Sequence, residues 1–378
     1  MDLSLDETQR LIQDSARDFV EVACNRDVLL KLDRDPAAAC GEIWTSMAGL
    51  GWTGMAIPEP YGGSGNSFTD VAVLFEELGA GPVPGPLFSS AVLCARILLA
   101  AANEDAKMAL LPQVAAGERI FALALTEAQY GWSPDRIRLR ATRQGPGFRL
   151  DGLKLFVHDA ELATDLLVAA RLEGEDGVAL FHVSAKGPGI KIRPLTGFMS
   201  PMAEVEFEGL RVGTESLILS GAGAWEALQQ GVREAAPILC AYKVGGCRRV
   251  FDMSVNYARE RVQFGQVIGR FPRVQDHVIQ IANAMDAARW TTNEALWKLD
   301  NGMDAAASVH VAKSVASESY VTACDYAHEV HAGIGSVRDY GLSLHTKASR
   351  SLYHCLGAPR EHRKMLEGVL RLLPPSAA

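Results

Sequence analysis

The hydrophobic period of this chain changes twice, and one uniform layer of secondary structure cannot satisfy both changes. From about Gly223 the pattern is helical and stays so: Ala224 to Ala258, Val274 to Leu299 and Ala305 to His331 are long amphipathic segments with few breakers. Segments of that length, joined by short connections, bury their apolar stripes against one another as an antiparallel bundle. The middle of the chain has a different period. Phe148 to Gly152, Leu166 to Arg171, Val178 to Val183 and Ala203 to Phe207 alternate or form short apolar blocks between turn residues, which is the pattern of antiparallel strands. The first third is helical again: Leu11, Ile12, Ala16, Phe19 and Val20 repeat at helix spacing, as do Val71, Val73, Leu74 and Leu78, and Ala91 to Ala102 reads as a buried apolar helix. A glycine-rich connector, Ile57 to Gly65, separates the first two helical regions. The expected class is therefore α+β: an N-terminal helical domain over residues 1–119, a middle antiparallel β domain over 120–214, and a C-terminal four-helix-bundle-like domain over 215–378.

A chain of 378 residues exceeds one ordinary core, which agrees with that division. The net charge of -8 is spread without a basic block, which argues against nucleic acid or an anionic membrane surface as partners. Seven cysteines, an odd number without CxxC spacing, sit in apolar or helical runs and read as free thiols of a reducing compartment. The acidic start Met-Asp-Leu-Ser-Leu-Asp-Glu lacks the regions of a signal peptide, and no apolar run reaches spanning length, so a cytoplasmic protein is expected. The tail Leu373 to Ala378 reads as disordered.

One stretch interrupts the helical pattern with unusual chemistry. Arg259-Glu260-Arg261-Val262-Gln263-Phe264-Gly265 combines a planar cation for phosphate oxygens, an amide and an aromatic ring beside a turn glycine. This set suits a phosphorylated aromatic cofactor; the competing reading is a helix that ends in a solvated charge cluster. His328-Glu329-Val330-His331 is metal-like, but its histidines stand three apart without a nearby third ligand, which favours helix-end histidines beside a glycine turn.

Taken with the order of the three regions, five motifs make the chain resemble the acyl-CoA dehydrogenase family of flavoproteins: Ile57-Pro-Glu-Pro-Tyr-Gly-Gly-Ser-Gly65, Phe75-Glu-Glu-Leu-Gly79, Phe207-Glu-Gly-Leu-Arg-Val212, Arg259 to Gly265, and His331-Ala-Gly-Ile-Gly335. The resemblance implies removal of two hydrogens from the α and β carbons of an acyl-CoA. A carboxylate takes the α proton, FAD accepts the β hydride, and electron-transfer flavoprotein usually reoxidises the flavin. It further implies that Arg261, Gln263 and Phe264 bind the FAD of a neighbouring subunit, that Gly333 and Gly335 bring backbone close to that cofactor, and that Glu329 stands where a Gln usually bonds it. Thr126 and Ser133 match the segment that donates to flavin and pyrophosphate, with Ala128 in place of its proline. Phe156 falls where a Trp usually covers the flavin ring, Val157 follows it, and His158 falls where a Thr bonds the ring edge.

The catalytic carboxylate has no direct match. Counting from Gly335 brings the usual Glu position onto Leu356; counting back from Phe264 brings the alternative position onto Ala235, whose neighbour Glu234 is the candidate base. Arg360, His362 and Arg363 could meet CoA phosphates, although a solvated helix face is the simpler reading. The stretch Leu356 to Arg363 resembles members that act on bulky acyl-CoAs such as steroid side chains, often as heterotetramers in which a second dehydrogenase-like subunit supplies what one lacks. Three functions remain open at this point: an acyl-CoA dehydrogenase subunit, a catalytically incomplete subunit that completes a partner's FAD site, and an enzyme of this fold with another thioester reaction.

Overall fold

The computed structural model of the chain describes residues 4–101, 104–129, 131–197, 199 and 201–370; Tyr130 and the tail Leu373 to Ala378 lie outside the described residues. Helices come first: α1 (Glu7–Ala23), α2 (Arg26–Arg34), α3 (Pro36–Gly49), α4 (Phe68–Ala80), a π-helical stretch (Leu87–Cys94) that runs into α5 (Ala95–Ala100), and α6 (Glu104–Ala115). Strands follow: β1 (Phe121–Ala124), β2 (Arg140–Gln144), β3 (Gly147–His158), β4 (Asp165–Leu172), β5 (Val178–Ser184), β6 (Ile190–Leu195), β7 (Met202–Val212) and β8 (Leu217–Gly221). The rest is α7 (Ala222–Glu260), a small hairpin of β9 (Val262–Gln263) and β10 (Gln266–Val267), then α8 (Pro272–Asp300), α9 (Ala306–His331), α10 (Leu342–Tyr353) and α11 (Pro359–Leu370). This succession is the α+β order expected from the changes of period. By contacts the chain forms two compact units, one of Met1–Asp33, Ser67–Val83 and Ala236–Ala378, the other of Arg34–Asn66 and Pro84–Ala235.

The second unit is built on a sheet of order β6-β7-β3-β2-β4-β5-β8, with β1 added to β4. Most pairings are antiparallel, as the alternating pattern predicts, but β4 runs parallel to both β1 and β2. Its sequence explains this place: Asp165 to Ala170 are all buried, the near-continuous burial of a strand with neighbours on both edges and cover on both faces. The core below the sheet includes Phe148, Phe181 and Phe207. Of the expected helix Ala91 to Ala102, the first turn belongs to the wide π stretch and Ala95–Ala100 to α5, while Ala102 lies outside the described residues. In the π stretch Ser90 Oγ accepts from the Phe121 amide at 2.9 Å, and Ser89 Oγ donates to Asp159 Oδ2 at 2.6 Å.

In the first unit α1 starts with a capping box, the Asp6 carboxylate accepting from Gln9 N while the Gln9 side chain accepts from Asp6 N. Helices α4 and α7 touch backbone to backbone. A Cβ on Gly79 would fall 1.8 Å from Tyr242 O, and one on Gly245 would fall 1.7 Å from Glu76 O. Only glycine permits so close a crossing. Beside it the buried Glu77 accepts from Arg248 at 2.6 Å, Gln13 at 2.9 Å and Arg17 at 3.3 Å, so its charge is matched on every side. Among the described residues no helix is long and apolar enough to cross a membrane.

Candidate active site

The β-rich unit gathers five of the residues singled out for cofactor binding. Strand β3 slips its register on β7 between Lys154 and Val157, and at this bulge Phe156 adopts φ 53° with half of its surface exposed. A non-glycine residue in the left-handed region costs of order 1 kcal/mol and is held there only by its surroundings. Val157 is buried and anchors the strand, while His158 is half-buried and precedes Asp159, itself at φ 59°. The carbonyl of the half-buried Thr126 accepts from Leu155 N at 2.8 Å, which ties it to β3 one residue before Phe156. Ser133 begins the short turn Pro134–Arg136, and its carbonyl accepts from Arg136 N.

The candidate base Glu234 belongs to this unit also, on the N-terminal part of α7. Arg96 donates to its Oε2 from both Nε (2.6 Å) and a terminal nitrogen (2.5 Å), and Gln230 donates to its Oε1 at 3.0 Å. Both oxygens are therefore engaged by neighbours within α5 and α7. Ala235, the family's alternative base position, is fully buried.

In the other unit, β9 and β10 pair Gln263 with Gln266 and leave Phe264 and Gly265 as a two-residue loop at φ 52° and 79°. Positive φ at both central residues is a type I′ turn, which ordinarily selects Asn-Gly. Phe264 occupies the first position with 91% of its surface exposed, its ring edge-on to Phe271 at 6.0 Å between ring centres. Arg261 and Gln263 are exposed beside it, and among the described residues Arg261 makes no ion pair. Val330, next to Glu329, belongs to one apolar cluster with Ala258 and Ile268, and Tyr257 stacks on His331 at 4.7 Å, so the hairpin root and the glycine segment are fixed together. Glu329 and Gly333 are exposed, and a Cβ on Gly333 would meet nothing. Gly335 differs, because its Cβ would fall 2.9 Å from His328 Nδ1; it is required by packing within the unit. His328 is bonded to Thr346 and His331 to the Ala327 carbonyl, which accounts for both histidines as helix-end groups.

Leu356 stands at φ 58° with its side chain buried, followed by Gly357 at φ 101°. Buried donors hold both carbonyls of this turn: His362 Nε2 bonds Leu356 O at 2.8 Å, and Lys313 Nζ bonds Gly357 O at 2.9 Å. Burial, reinforced by Lys313, pushes His362 down to about 3, so its ring is neutral. With the Nε2 proton on the Leu356 carbonyl, His362 Nδ1 accepts from His310 Nδ1–H at 3.0 Å. His362 is thus a core residue, which corrects the solvated-face reading for that residue alone; Arg360 and Arg363 are exposed, the latter paired with Glu318. Behind the turn Lys243 and Lys313, both fully buried, share the Ser317 hydroxyl at 2.7 and 3.1 Å, and neither meets a carboxylate among the described residues. Desolvation lowers both amines, and at Lys313 the second ammonium beside it adds to the effect. Sequence reading passed over this pair because both lysines look like ordinary polar positions of amphipathic helices.

Residues 6–118 match the family described as acyl-CoA dehydrogenase, N-terminal domain, and residues 222–366 match acyl-CoA dehydrogenase, C-terminal domain. The chain belongs to the acyl-CoA dehydrogenase family. These are FAD-dependent oxidoreductases. Over 359 residues the chain is 28% identical to the benzylmalonyl-CoA dehydrogenase of Aromatoleum aromaticum, covering 93% of this chain and 94% of that protein. Its fold matches the FAD complex of PigA with a TM-score of 0.90 at 24% identity, over 98% of this chain and all (100%) of the other. It matches the ChsE4-ChsE5 complex from Mycobacterium tuberculosis with a TM-score of 0.87 at 23% identity, over 99% and 100%. The donor set of the chain fits FAD. An unpaired guanidinium beside an exposed ring suits phosphates and adenine, and a half-exposed Phe156 on a strand bulge suits a flat ring. The exposed carboxylates of Glu329 and of Glu260, next to Arg261, oppose a phosphate.

Proposed function

We propose that the chain is a subunit of an oligomeric acyl-CoA dehydrogenase that forms an α,β double bond in a CoA thioester, and that a second dehydrogenase-like subunit supplies the carboxylate that takes the α proton. The Leu356 turn carries this reading. The turn is kept, with both carbonyls held from behind, while the side chain at its tip cannot accept a proton. Glu234, the other carboxylate considered, is committed to Arg96 and Gln230. An α proton beside a thioester is weakly acidic, so its removal needs a desolvated and free base; Glu234 is desolvated but not free.

FAD, when bound, supplies the hydride acceptor. Thr126 and Ser133 would donate hydroxyls to it, Phe156 would cover its ring, and Val157 and His158 would border the ring edge. Arg261, Gln263 and Phe264 would reach the FAD of a neighbouring copy or partner, with Gly333 and Gly335 on the backbone that approaches it and Glu329 accepting from a hydroxyl. A strained, almost fully exposed Phe264 has no use within its own unit, which supports that role. We read residues 1–119, 120–214 and 215–378 as the three functional segments, electron-transfer flavoprotein as the oxidant of the reduced enzyme, the cytoplasm as its place, and a bulky acyl group as the substrate.

The absorbance spectrum tests this. The chain purified with a second dehydrogenase-like subunit should be yellow and bleach with an acyl-CoA, whereas the chain alone should not bleach. Bleaching by the isolated chain would overturn the shared base. A complex in which the partner alone binds and turns over FAD would favour a purely completing subunit, the reading that the same leucine also supports.

A further inference from the structure

We infer that Lys154 and Glu127 form a buried strut that sets the position of the whole flavin-facing edge of the β-rich unit, and so act as positioning residues for the cofactor; this rests on the FAD reading above. Lys154 is fully buried, and its Nζ donates to Glu127 Oε1 at 2.7 Å and to the Leu125 carbonyl at 3.1 Å. Glu127 also accepts from the amides of Arg138 and Leu139, at 2.9 to 3.0 Å. One residue further along β3, Leu155 N donates to Thr126 O at 2.8 Å. Three separate stretches, 125–127, 138–139 and 154–155, are therefore fastened at one point.

Every cofactor residue proposed in this unit hangs from that point. Thr126 lies between Leu125 and Glu127. Ser133 is in the loop whose two ends Glu127 joins. Phe156, Val157 and His158 follow Lys154 directly, through the bulge in which β3 loses register with β7. The loop has special need of such an anchor. It carries Ala128 where the family's segment has proline, so the chain there starts with more freedom to lose. A charge pair that also satisfies two amides and a carbonyl fixes direction as well as distance. Burial pulls Lys154 down to about 8, with Glu127 the main opposing influence, so the carboxylate is what keeps the ammonium charged in this setting.

The test uses the full-length chain, together with its partner subunit where FAD uptake requires it, and FAD itself as the probe. Lys154→Met should weaken FAD binding, followed by flavin fluorescence, by roughly tenfold or more, the order seen when a supporting partner is lost from a metal site. It should also speed hydrogen exchange at the amides of Arg138, Leu139 and Leu155. Lys154→Met/Glu127→Gln removes the unpaired charge and keeps an acceptor for the amides of Arg138 and Leu139, so its urea midpoint should return toward wild type while FAD binding stays weak. Should Lys154→Met not fold, Glu127→Gln takes its place, because it keeps the volume and the amide contacts but loses the ion pair; it should show the same defects more mildly. Wild-type FAD affinity in these variants would overturn the strut. So would recovery of affinity together with stability in the double variant. A wild-type protein that takes up no FAD would overturn the cofactor reading instead, and the exchange data would then decide the strut alone: unchanged amides would end it.

Discussion

Glu234 is the residue at which chemical type and geometry part company. A carboxylate one position from the alternative base position that the resemblance implies is a natural candidate, yet Arg96 and Gln230 occupy both of its oxygens. Glu234→Gln should therefore cost about 2 kcal/mol in urea unfolding, the order expected for a partly buried charge pair, and leave turnover of the assembled enzyme within about twofold; a loss of several powers of ten would restore Glu234 as the base. Lys243 poses the opposite question. It is a buried amine that meets no carboxylate among the described residues, and its folded pKa lies below the usual 10.5. The unfolded chain then binds the proton more readily, so the lysine costs stability at neutral pH, and the cost fades as pH rises through the unfolded value. Lys243→Met should stabilise by about 1–3 kcal/mol at pH 7, and the gain should shrink towards pH 10.5. Denaturant midpoints across that range provide the check, and a constant gain would show that packing, not charge, is responsible.

At the scale of elements, the β9–β10 hairpin can be tested without disturbing the fold around it. Because Phe264 is almost fully exposed, Phe264→Ala should leave unfolding within about 0.5 kcal/mol of wild type. It should nonetheless weaken subunit association or FAD uptake, seen by sedimentation and by flavin titration. The crossing of α4 and α7 should respond in the reverse way. Gly245→Ala puts a methyl into the Glu76 carbonyl, and neither helix can withdraw without opening the ion network around Glu77. A loss of about 3 kcal/mol or more is expected, at the upper end of overpacking effects, read as a lower thermal midpoint. The elements themselves were largely legible. The long segments predicted over 224–258, 274–299 and 305–331 appear as α7, α8 and α9 with ends moved by a few residues. The π turn at Leu87–Cys94 and the parallel placement of β4 were not legible, since each depends on partners far away in the chain: Phe121 and Asp159 for the serines, and β1 and β2 for the strand.

For the whole molecule, the six buried cysteines and the half-buried Cys24 make alkaline stability a collective property. Burial pushes Cys24 and Cys324 up to about 12, above the usual 9.0 of a free thiol. The folded state thus holds protons that the unfolded state gives up, and stability present below pH 9 should fall as pH rises from there towards 12. Cys324→Ala should flatten that decline in circular-dichroism titrations, and an unaltered slope would count against it. The sequence alone determined the order of helix, strand and helix, the family, and the chemical types at the hairpin, because hydrophobic period and short motifs are local properties. Through the family resemblance it also implied that Leu356 stands at the usual base position. Only the tertiary structure decided that Glu234 is bound by Arg96, that His362 and Lys313 fasten the Leu356 turn, and that Lys154 and Glu127 join three stretches of chain. These are facts about which charges and donors meet after folding, and neither spacing nor composition fixes the distance between residues that the chain brings together from afar.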